Sequence, residues 1–213
     1  MSTDLEDMKQ RMAAISGQKS KKKLKSTEPV TSLKKVESAK NRKDSRAKGS
    51  FFERAVAKRW SKWSGLEIRR TPMSGGWSHS AKFGVSGDLV CDNKHFPFHV
   101  ECKNHLTWFI DDIITGVRDE GTTSIHQWWL QCLKTCPPKK TPVLLFKRNH
   151  RPVLMMMKAT DWDAISKLCS FTIDFVPTLK AYMDDGDVVI LTEDQFLSKV
   201  PYNKDLRLAL RRK

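Results

Sequence analysis

The segment Phe98–Lys103 constrains the fold most strongly, because its side chains alternate between apolar and polar. Its even-numbered residues are apolar, and its odd-numbered residues are His99, Glu101 and Lys103. Successive side chains of a strand point to opposite faces, so this pattern predicts a half-buried β-strand. On such a strand Glu101 and Lys103 would lie side by side on the polar face, about 6.6 Å apart along the chain.

A second carboxylate, Asp88, stands at an earlier apolar run, Leu89-Val90. Because a turn separates the two runs, we expect them to pair as a hairpin that brings Asp88 next to Glu101. Two carboxylates at one place repel each other, and a hard cation such as Mg²⁺ relieves the repulsion. A lysine beside that ion can orient or help to deprotonate a water. The pattern therefore predicts metal-assisted phosphodiester hydrolysis, although Glu-x-Lys on an exposed strand face is also common as solvated charge.

The charge balance of the chain is strongly basic. It contains 39 Lys and Arg and 24 Asp and Glu, which gives a formal net charge of +15. Such a charge favours polyanions, either nucleic acid or an acidic membrane surface. The sequence has no apolar run of bilayer length and no signal-peptide core, so we expect no membrane partner. Five cysteines at irregular spacing indicate reduced thiols in a cytoplasm, that of the host if the chain is viral.

Composition divides the chain into an arm, a folded region and a tail. Residues 1–47 are rich in Lys, Ser and Thr, which predicts a disordered basic arm that grips phosphates or only improves solubility. A folded domain is expected over 48–205, and a basic tail over 206–213. The domain should begin with a helix whose N-terminus is a capping box of Ser50 and Glu53.

Within the folded region, helical and strand patterns alternate. Strands are expected over 66–71, near Asp88, and over 98–103, 143–147, 153–157 and 188–191. Helices are expected over 107–116, 123–135, 160–169 and 192–199, while residues 171–182 fit no pattern. This order predicts an α/β fold in which a mixed central sheet is flanked by helices.

Four pieces of the sequence together resemble a known family. In chain order they are Lys48-Gly49-Ser50-Phe51-Phe52-Glu53-Arg54, Arg70-Thr71-Pro72-Met73-Ser74-Gly75, Ser86-Gly87-Asp88 and Glu101-Cys102-Lys103. In this order and spacing they resemble the PD-(D/E)xK nuclease superfamily, and most of all its archaeal-type Holliday junction resolvase branch. The resemblance covers residues 48–157 and implies a restriction-endonuclease-like fold. Gly87 stands where the proline that names the superfamily would be.

The resemblance implies a metal site made of oxygen ligands. Asp88 and Glu101 would bind Mg²⁺, for which Mn²⁺ would substitute, with help from the Cys102 carbonyl. Glu53 would lie near the same ion, directly or through water. Taken without the resemblance, Glu53 is better explained as the third residue of its capping box. His99 shares the polar face of Glu101, and we expect it at the surface rather than on the metal.

The remaining matched residues would act on the substrate. Lys103 would position the attacking water or stabilise charge developing on the phosphate, and Gln127 would contact that lysine or the water. Gln127 could equally be an ordinary solvent-facing helix residue. The residues implied to contact DNA phosphates or the scissile region are Lys48, Arg54, Arg69, Arg70 and Ser74.

These inferences predict a Mg²⁺-dependent DNA endonuclease that cuts branched DNA, with Holliday junctions as the favoured substrate. Symmetric junction cutting needs two sites, so a twofold homodimer is predicted. Hydrolysis would leave 5′-phosphate and 3′-hydroxyl ends. One alternative is a nuclease of the same superfamily that acts on linear or single-stranded DNA in repair, restriction or phage DNA processing. Another is a non-catalytic nucleic-acid-binding protein that uses the basic arm.

Overall fold

The structure is a computed structural model that describes residues 30–72, 87–106, 108–111, 113, 124–169, 179–181 and 186–210. The chain divides into two compact units, Met1–Asn41 and Arg42–Lys213. In the first unit, the described residues belong to the beginning of one helix. In the second, helices and strands alternate, as the sequence predicts for an α/β fold.

In chain order, the elements are α1 (Val30–Ser64), β1 (Ile68–Arg70), β2 (Leu89–Cys91), β3 (Phe98–Asn104), α2 (Ile125–Thr135), β4 (Thr141–Lys147), β5 (Leu154–Lys158), α3 (Ala159–Cys169), β6 (Leu179–Ala181), β7 (Val188–Thr192), α4 (Glu193–Lys199) and α5 (Lys204–Ala209). None of the helices in the described part of the chain is long and apolar enough to cross a membrane.

Helix α1 begins at Val30, well before the capping box expected around Ser50. Ser50 instead lies inside the helix, where its hydroxyl donates a hydrogen bond to the Ala47 carbonyl at 3.1 Å. The segment contains no proline and a single glycine, and it is rich in Lys, Arg and Ala, which favour helix. The helix therefore continues through the expected start. The predicted arm over 1–47 overlaps α1, and residues 1–29 lie outside the described residues.

The strands form a mixed five-stranded sheet in the order β3-β4-β5-β7-β6. β3 and β4 are parallel, and the other neighbours are antiparallel. β1 and β2 form a separate antiparallel pair in which Ile68 lies opposite Cys91. The predicted hairpin between the Asp88 run and β3 is therefore wrong, because β2 pairs with β1 while β3 pairs with β4.

An apolar cluster lies on each side of the five-stranded sheet. Val143 and Leu145 of β4 belong to the cluster that includes the buried residues of α1. Leu144 and Phe146 belong to the other cluster, with the buried tryptophans of α2. Because β4 is apolar on both faces, it reads as a continuous apolar run, which is typical of a central strand. The sheet holds the polar face of β3 beside α2.

The C-terminal region contributes to the core. The predicted tail over 206–213 overlaps α5, whose Leu206 is buried, and Leu210 directly after the helix is buried in the same cluster. β6 lies in the stretch that fits no sequence pattern and is an outer strand of the sheet. Half of the residues of the helix predicted over 107–116, and all of residues 73–86, lie outside the described residues.

Candidate active site

Asp88 is fixed beside β3 by backbone hydrogen bonds. Its N–H donates to the Val100 carbonyl at 2.9 Å, and its own carbonyl accepts from the Thr71 N–H at 2.8 Å. The carboxylate Oδ2 accepts a hydrogen bond from the Cys102 N–H at 2.8 Å. These bonds join the end of β1 and the start of β2 to β3. Asp88 thus reaches β3 without the hairpin that the sequence predicted.

Glu101 is buried on the α2 side of β3. Its Oε2 lies 3.8 Å from Lys103 Nζ, and its Oε1 lies 3.4 Å from the Thr135 hydroxyl at the end of α2. Cys102 points to the opposite side, where its thiol is buried in the core cluster of α1 and its pKa is raised mainly by that burial. The alternation predicted for this strand is therefore confirmed, with the carboxylate and the ammonium on one face. The strand is not half-buried as predicted, because α2 covers the other face and His99 and Glu101 are buried there.

The pKa of Asp88 is raised to about 8, first by burial and then by the neighbouring Glu101 carboxylate. Glu53 raises it as well, whereas the Cys102 N–H and the Lys103 ammonium lower it. Both glutamates therefore act against ionisation of Asp88, and the Cys102 N–H and the Lys103 ammonium only partly offset this effect. Such a cluster favours either a proton or a metal ion.

The donors at this site fit an ion of the Mg²⁺ type. Mg²⁺ is usually bound by one or two carboxylates, with water and substrate phosphates in the other positions. Asp88 and Glu101 supply two such carboxylates. Within the described ranges, no group of three His, Cys, Asp or Glu side chains is arranged to hold a metal ion. A site that depends on two carboxylates, backbone oxygen and water is consistent with that finding.

Glu53 and Arg70, both expected at the site, form an ion pair. Arg70 Nε donates to Glu53 Oε2, and the Glu53 side chain is mostly buried. Arg69 does not join them, because it lies on the other face of β1 and its guanidinium pairs with the exposed Asp92. The structure therefore brings one of the two adjacent arginines to the acid cluster.

The other predicted DNA contacts lie farther along the surface or outside the described residues. Lys48 and Arg54 are exposed on α1, where their side chains are accessible to a large ligand. Ser74 lies outside the described residues. The structure thus leaves the proposed roles of these three side chains as predictions.

The glutamine that contacts Lys103 is Gln131, not the expected Gln127. Gln127 forms the capping box of α2 with Ser124: its Oε1 accepts from the Ser124 N–H at 3.3 Å, and its N–H donates to Ser124 Oγ at 3.3 Å. One turn later, Gln131 Oε1 accepts a hydrogen bond from Lys103 Nζ at 3.1 Å. The Ser-x-x-Gln signature at the helix start could have identified Gln127 as a capping residue.

His99 is buried beside Glu101, so its predicted surface placement is wrong. Its Nε2 lies 3.1 Å from the Thr135 hydroxyl and 3.9 Å from Glu101 Oε1. Its ring also explains Gly87, which has a φ of +86°. A Cβ atom at Gly87 would lie 2.9 Å from His99 Cε1 and 2.9 Å from the Val100 carbonyl oxygen. Proline, whose φ is fixed near −65°, cannot adopt this conformation.

Two comparisons with known proteins found matches to this chain. The family model described as "Phage putative PDDEXK endonuclease" matches residues 44–204. "Protein D14" of Escherichia phage T5 is 28% identical over 120 residues, which cover 55% of this chain and 73% of that protein. No solved structure matches the chain. Neither description names a Holliday junction resolvase, so that branch remains a prediction. Because the family model covers most of the chain, including the positions of the acid cluster, the chain belongs to this PDDEXK family.

Proposed function

We propose that this chain is a metal-dependent DNA endonuclease whose active site is formed by Asp88, Glu101 and Lys103. The observation that supports this assignment most directly is the burial of Asp88 against Glu101, which raises the Asp88 pKa to about 8. Buried acids whose negative charge is only partly offset by nearby donors and cations are typical of functional sites. Membership of a nuclease family supplies the reaction class, and the strand that carries Glu101 also carries the lysine that such chemistry needs.

The proposed roles differ between the acidic and the basic residues of the site. Asp88 and Glu101 would hold a divalent ion, which supplies Lewis-acid stabilisation of phosphate charge and lowers the pKa of water. The Cys102 N–H orients the Asp88 carboxylate. Lys103 would stabilise negative charge on the phosphate or position the attacking water, and Gln131 holds its ammonium in place.

Several further properties follow from the same chemistry. Hard oxygen ligands favour Mg²⁺, with Mn²⁺ as a substitute. Arg70 orients Glu53 beside the acid pair and could share its guanidinium with a DNA phosphate. The net charge of +15 supports DNA as the partner. Given a phage relative, the reaction would take place in the host cytoplasm.

The direct test is cleavage of labelled DNA by purified full-length protein with Mg²⁺ or with EDTA. We expect Mg²⁺-dependent cleavage that Glu101→Gln lowers by about 10²- to 10³-fold. The matched control is Asp194→Asn, which neutralises an exposed acid of α4 and should cut at the parental rate. If Glu101→Gln cuts as well as the parent, the assigned site is wrong.

The choice of DNA substrate is a narrower hypothesis. The pieces around Glu53 and Arg70 resemble junction resolvases, which favours branched DNA and a twofold homodimer. Family membership fits a nuclease for linear DNA at least as well. Cleavage rates on a four-way junction and on a linear duplex of the same sequence, measured in parallel, distinguish these two substrate hypotheses. Analytical sedimentation measures the oligomeric state. A purely binding protein would show salt-sensitive binding that Asp88→Asn leaves unchanged, and no cleavage.

A further inference from the structure

A cavity of about 410 Å³ lies beside the C-terminal end of α2. It is lined by three lysines and three prolines, and we call it the lysine pocket: Lys139, Lys140 and Lys158, with Pro137, Pro138 and Pro142. Proline restricts its own backbone, so much of the wall is rigid before any ligand arrives. A preformed wall lowers the entropic cost of binding.

The three ammonium groups of the lysine pocket are not neutralised by the protein around them. Among the residues that the structure describes, none of them has a carboxylate oxygen within 4.0 Å. Lys140 is fixed by donating to the Phe96 carbonyl, and its Nζ lies 5.7 Å from the centre of the Phe96 ring. Burial lowers the pKa of Lys140. A partly desolvated cation with neutral partners is stabilised by an anion.

The lysine pocket adjoins the candidate active site. Cys136, which ends α2, lines the pocket, and the preceding Thr135 places its hydroxyl 3.4 Å from Glu101 Oε1. On the sheet side, Pro142 of the pocket pairs in register with His99, two residues before Glu101. Phosphates of one DNA strand follow each other every ~3.4 Å of helix axis. A strand cut beside Glu101 would therefore have a neighbouring phosphate within reach of the pocket.

We propose that the lysine pocket binds a phosphate of the cleaved DNA strand, close to the phosphodiester that is cut. This inference rests on the proposed nuclease function and adds a second anchoring point to it. Lysine binds phosphate as a compact point charge. Contacts with the phosphate backbone fix the position of a protein on DNA without reading sequence. The pocket would thus set the register of the strand relative to Asp88 and Glu101.

The first test measures binding of full-length protein to a labelled duplex by fluorescence anisotropy in EDTA, across a range of salt. The pocket variant is Lys139→Gln with Lys158→Gln, and the matched control is Lys167→Gln with Lys199→Gln, two exposed lysines outside the pocket. We expect the pocket variant to bind about 10-fold more weakly and to lower the salt slope by about 0.9, the value for one lost phosphate contact. The control should change affinity by less than about twofold.

The second test locates the phosphate. A neutral methylphosphonate replaces one phosphate at a time around the mapped cut. The parent and the control variant should lose affinity at one flanking position. The pocket variant should show no additional loss there, because two changes that remove the same contact are not additive.

The outcomes separate this proposal from the proposed function. If the pocket and control variants weaken binding equally, and the pocket variant keeps the parental methylphosphonate pattern, the pocket proposal is overturned. The proposed nuclease function still stands in that case, provided that the parent cleaves DNA and Glu101→Gln does not. If the parent neither binds nor cuts DNA, both proposals fall. Should the double variant unfold, Lys139→Gln alone changes an exposed side chain and should give about half of the slope change.

Discussion

Two buried carboxylate sites in this chain are built in opposite ways. Glu193, at the start of α4, accepts hydrogen bonds from Arg59 Nε and Trp60 Nε1, each at 2.9 Å. Asp88 and Glu101 lie together, with a backbone N–H at 2.8 Å from the first and a lysine 3.8 Å from the second. At the first site strong hydrogen-bond donors surround the carboxylate, whereas at the second site two carboxylates repel each other.

The pKa values express the same difference. Burial raises the pKa of Glu193, and the Arg59 and Trp60 donors act against that rise. Burial raises the pKa of Asp88 too, and Glu101 raises it further. The compensated acid joins α1 to α4, whereas a bound cation would offset the charge of the acid pair. Burial of a carboxylate therefore does not identify a functional site, but burial with poor compensation does.

Neutralising one acid of each site should give the largest contrast. Asp88→Asn should lower cleavage by about 10²- to 10³-fold, because the site loses a charged ligand. Glu193→Gln should leave the cleavage rate of folded protein unchanged. Initial rates with Mg²⁺, measured well below the unfolding temperature of each variant, test this. Loss of cleavage in Glu193→Gln alone would reverse the assignment of the two sites.

Metal-free stability should depend on pH through Asp88. Its folded-state pKa of about 8 lies above the ordinary 3.8, so the folded chain keeps a proton that the unfolded chain releases. The free energy of unfolding should therefore be highest at low pH and fall between roughly pH 4 and 8, by at most about 1.4 kcal/mol per unit. Asp88→Asn should make this slope smaller, and the raised pKa of Glu193 should leave a residual slope of the same sign. Urea unfolding in EDTA at several pH values, repeated with Mg²⁺, measures it; equal slopes in parent and variant would contradict it.

The compensated site should matter for stability. Glu193→Gln should lower the free energy of unfolding by about 2 kcal/mol, less than for a fully buried pair because Arg59 is partly exposed. Denaturant unfolding at pH 7 measures this effect. Asp194→Asn, one residue along α4 at an exposed position, is the matched control and should change stability by less than about 0.5 kcal/mol. An equal loss in both variants would mean that the Arg59 contact contributes little.

The smallest predicted effect separates the two glutamines of α2. Gln131→Ala should lower cleavage by about 10-fold, because the Lys103 ammonium loses its acceptor. Gln127→Ala should leave cleavage nearly unchanged and lower the free energy of unfolding by about 1 kcal/mol, because it removes a capping partner. Parallel rate and unfolding measurements on both variants test this. Reversed effects would restore Gln127 as the glutamine of the active site.

The sequence predicted those parts of the site that depend on local pattern. Alternation along β3 places Glu101 and Lys103 on one face whatever the strand pairs with, and that placement is confirmed. The helices expected over 123–135 and 192–199 are present as α2 and α4. Their capping boxes, Ser124 with Gln127 and Thr192 with Gln195, depend on local spacing that the sequence contains, although the helix predictions do not use it. The mixed α/β fold follows from the order of such patterns.

What the sequence could not predict depends on contacts between distant segments. Asp88 reaches β3 through hydrogen bonds from Cys102 and to Val100, although its own strand pairs elsewhere. Which glutamine of α2 reaches Lys103 depends on where that helix packs on the sheet. Arg69 and Arg70 look alike in sequence, and only the partners Asp92 and Glu53 distinguish them.

The contact between Gly87 and the His99 ring has a consequence for detecting relatives from sequence. A Cβ atom at position 87 would clash with the His99 ring and with the Val100 carbonyl, so a chain that keeps this backbone and this histidine, twelve positions later, also needs the glycine. A pattern search that requires proline before the aspartate would overlook chains built in this way. A search that accepts glycine there when histidine precedes the Val-Glu-x-Lys strand would retain them.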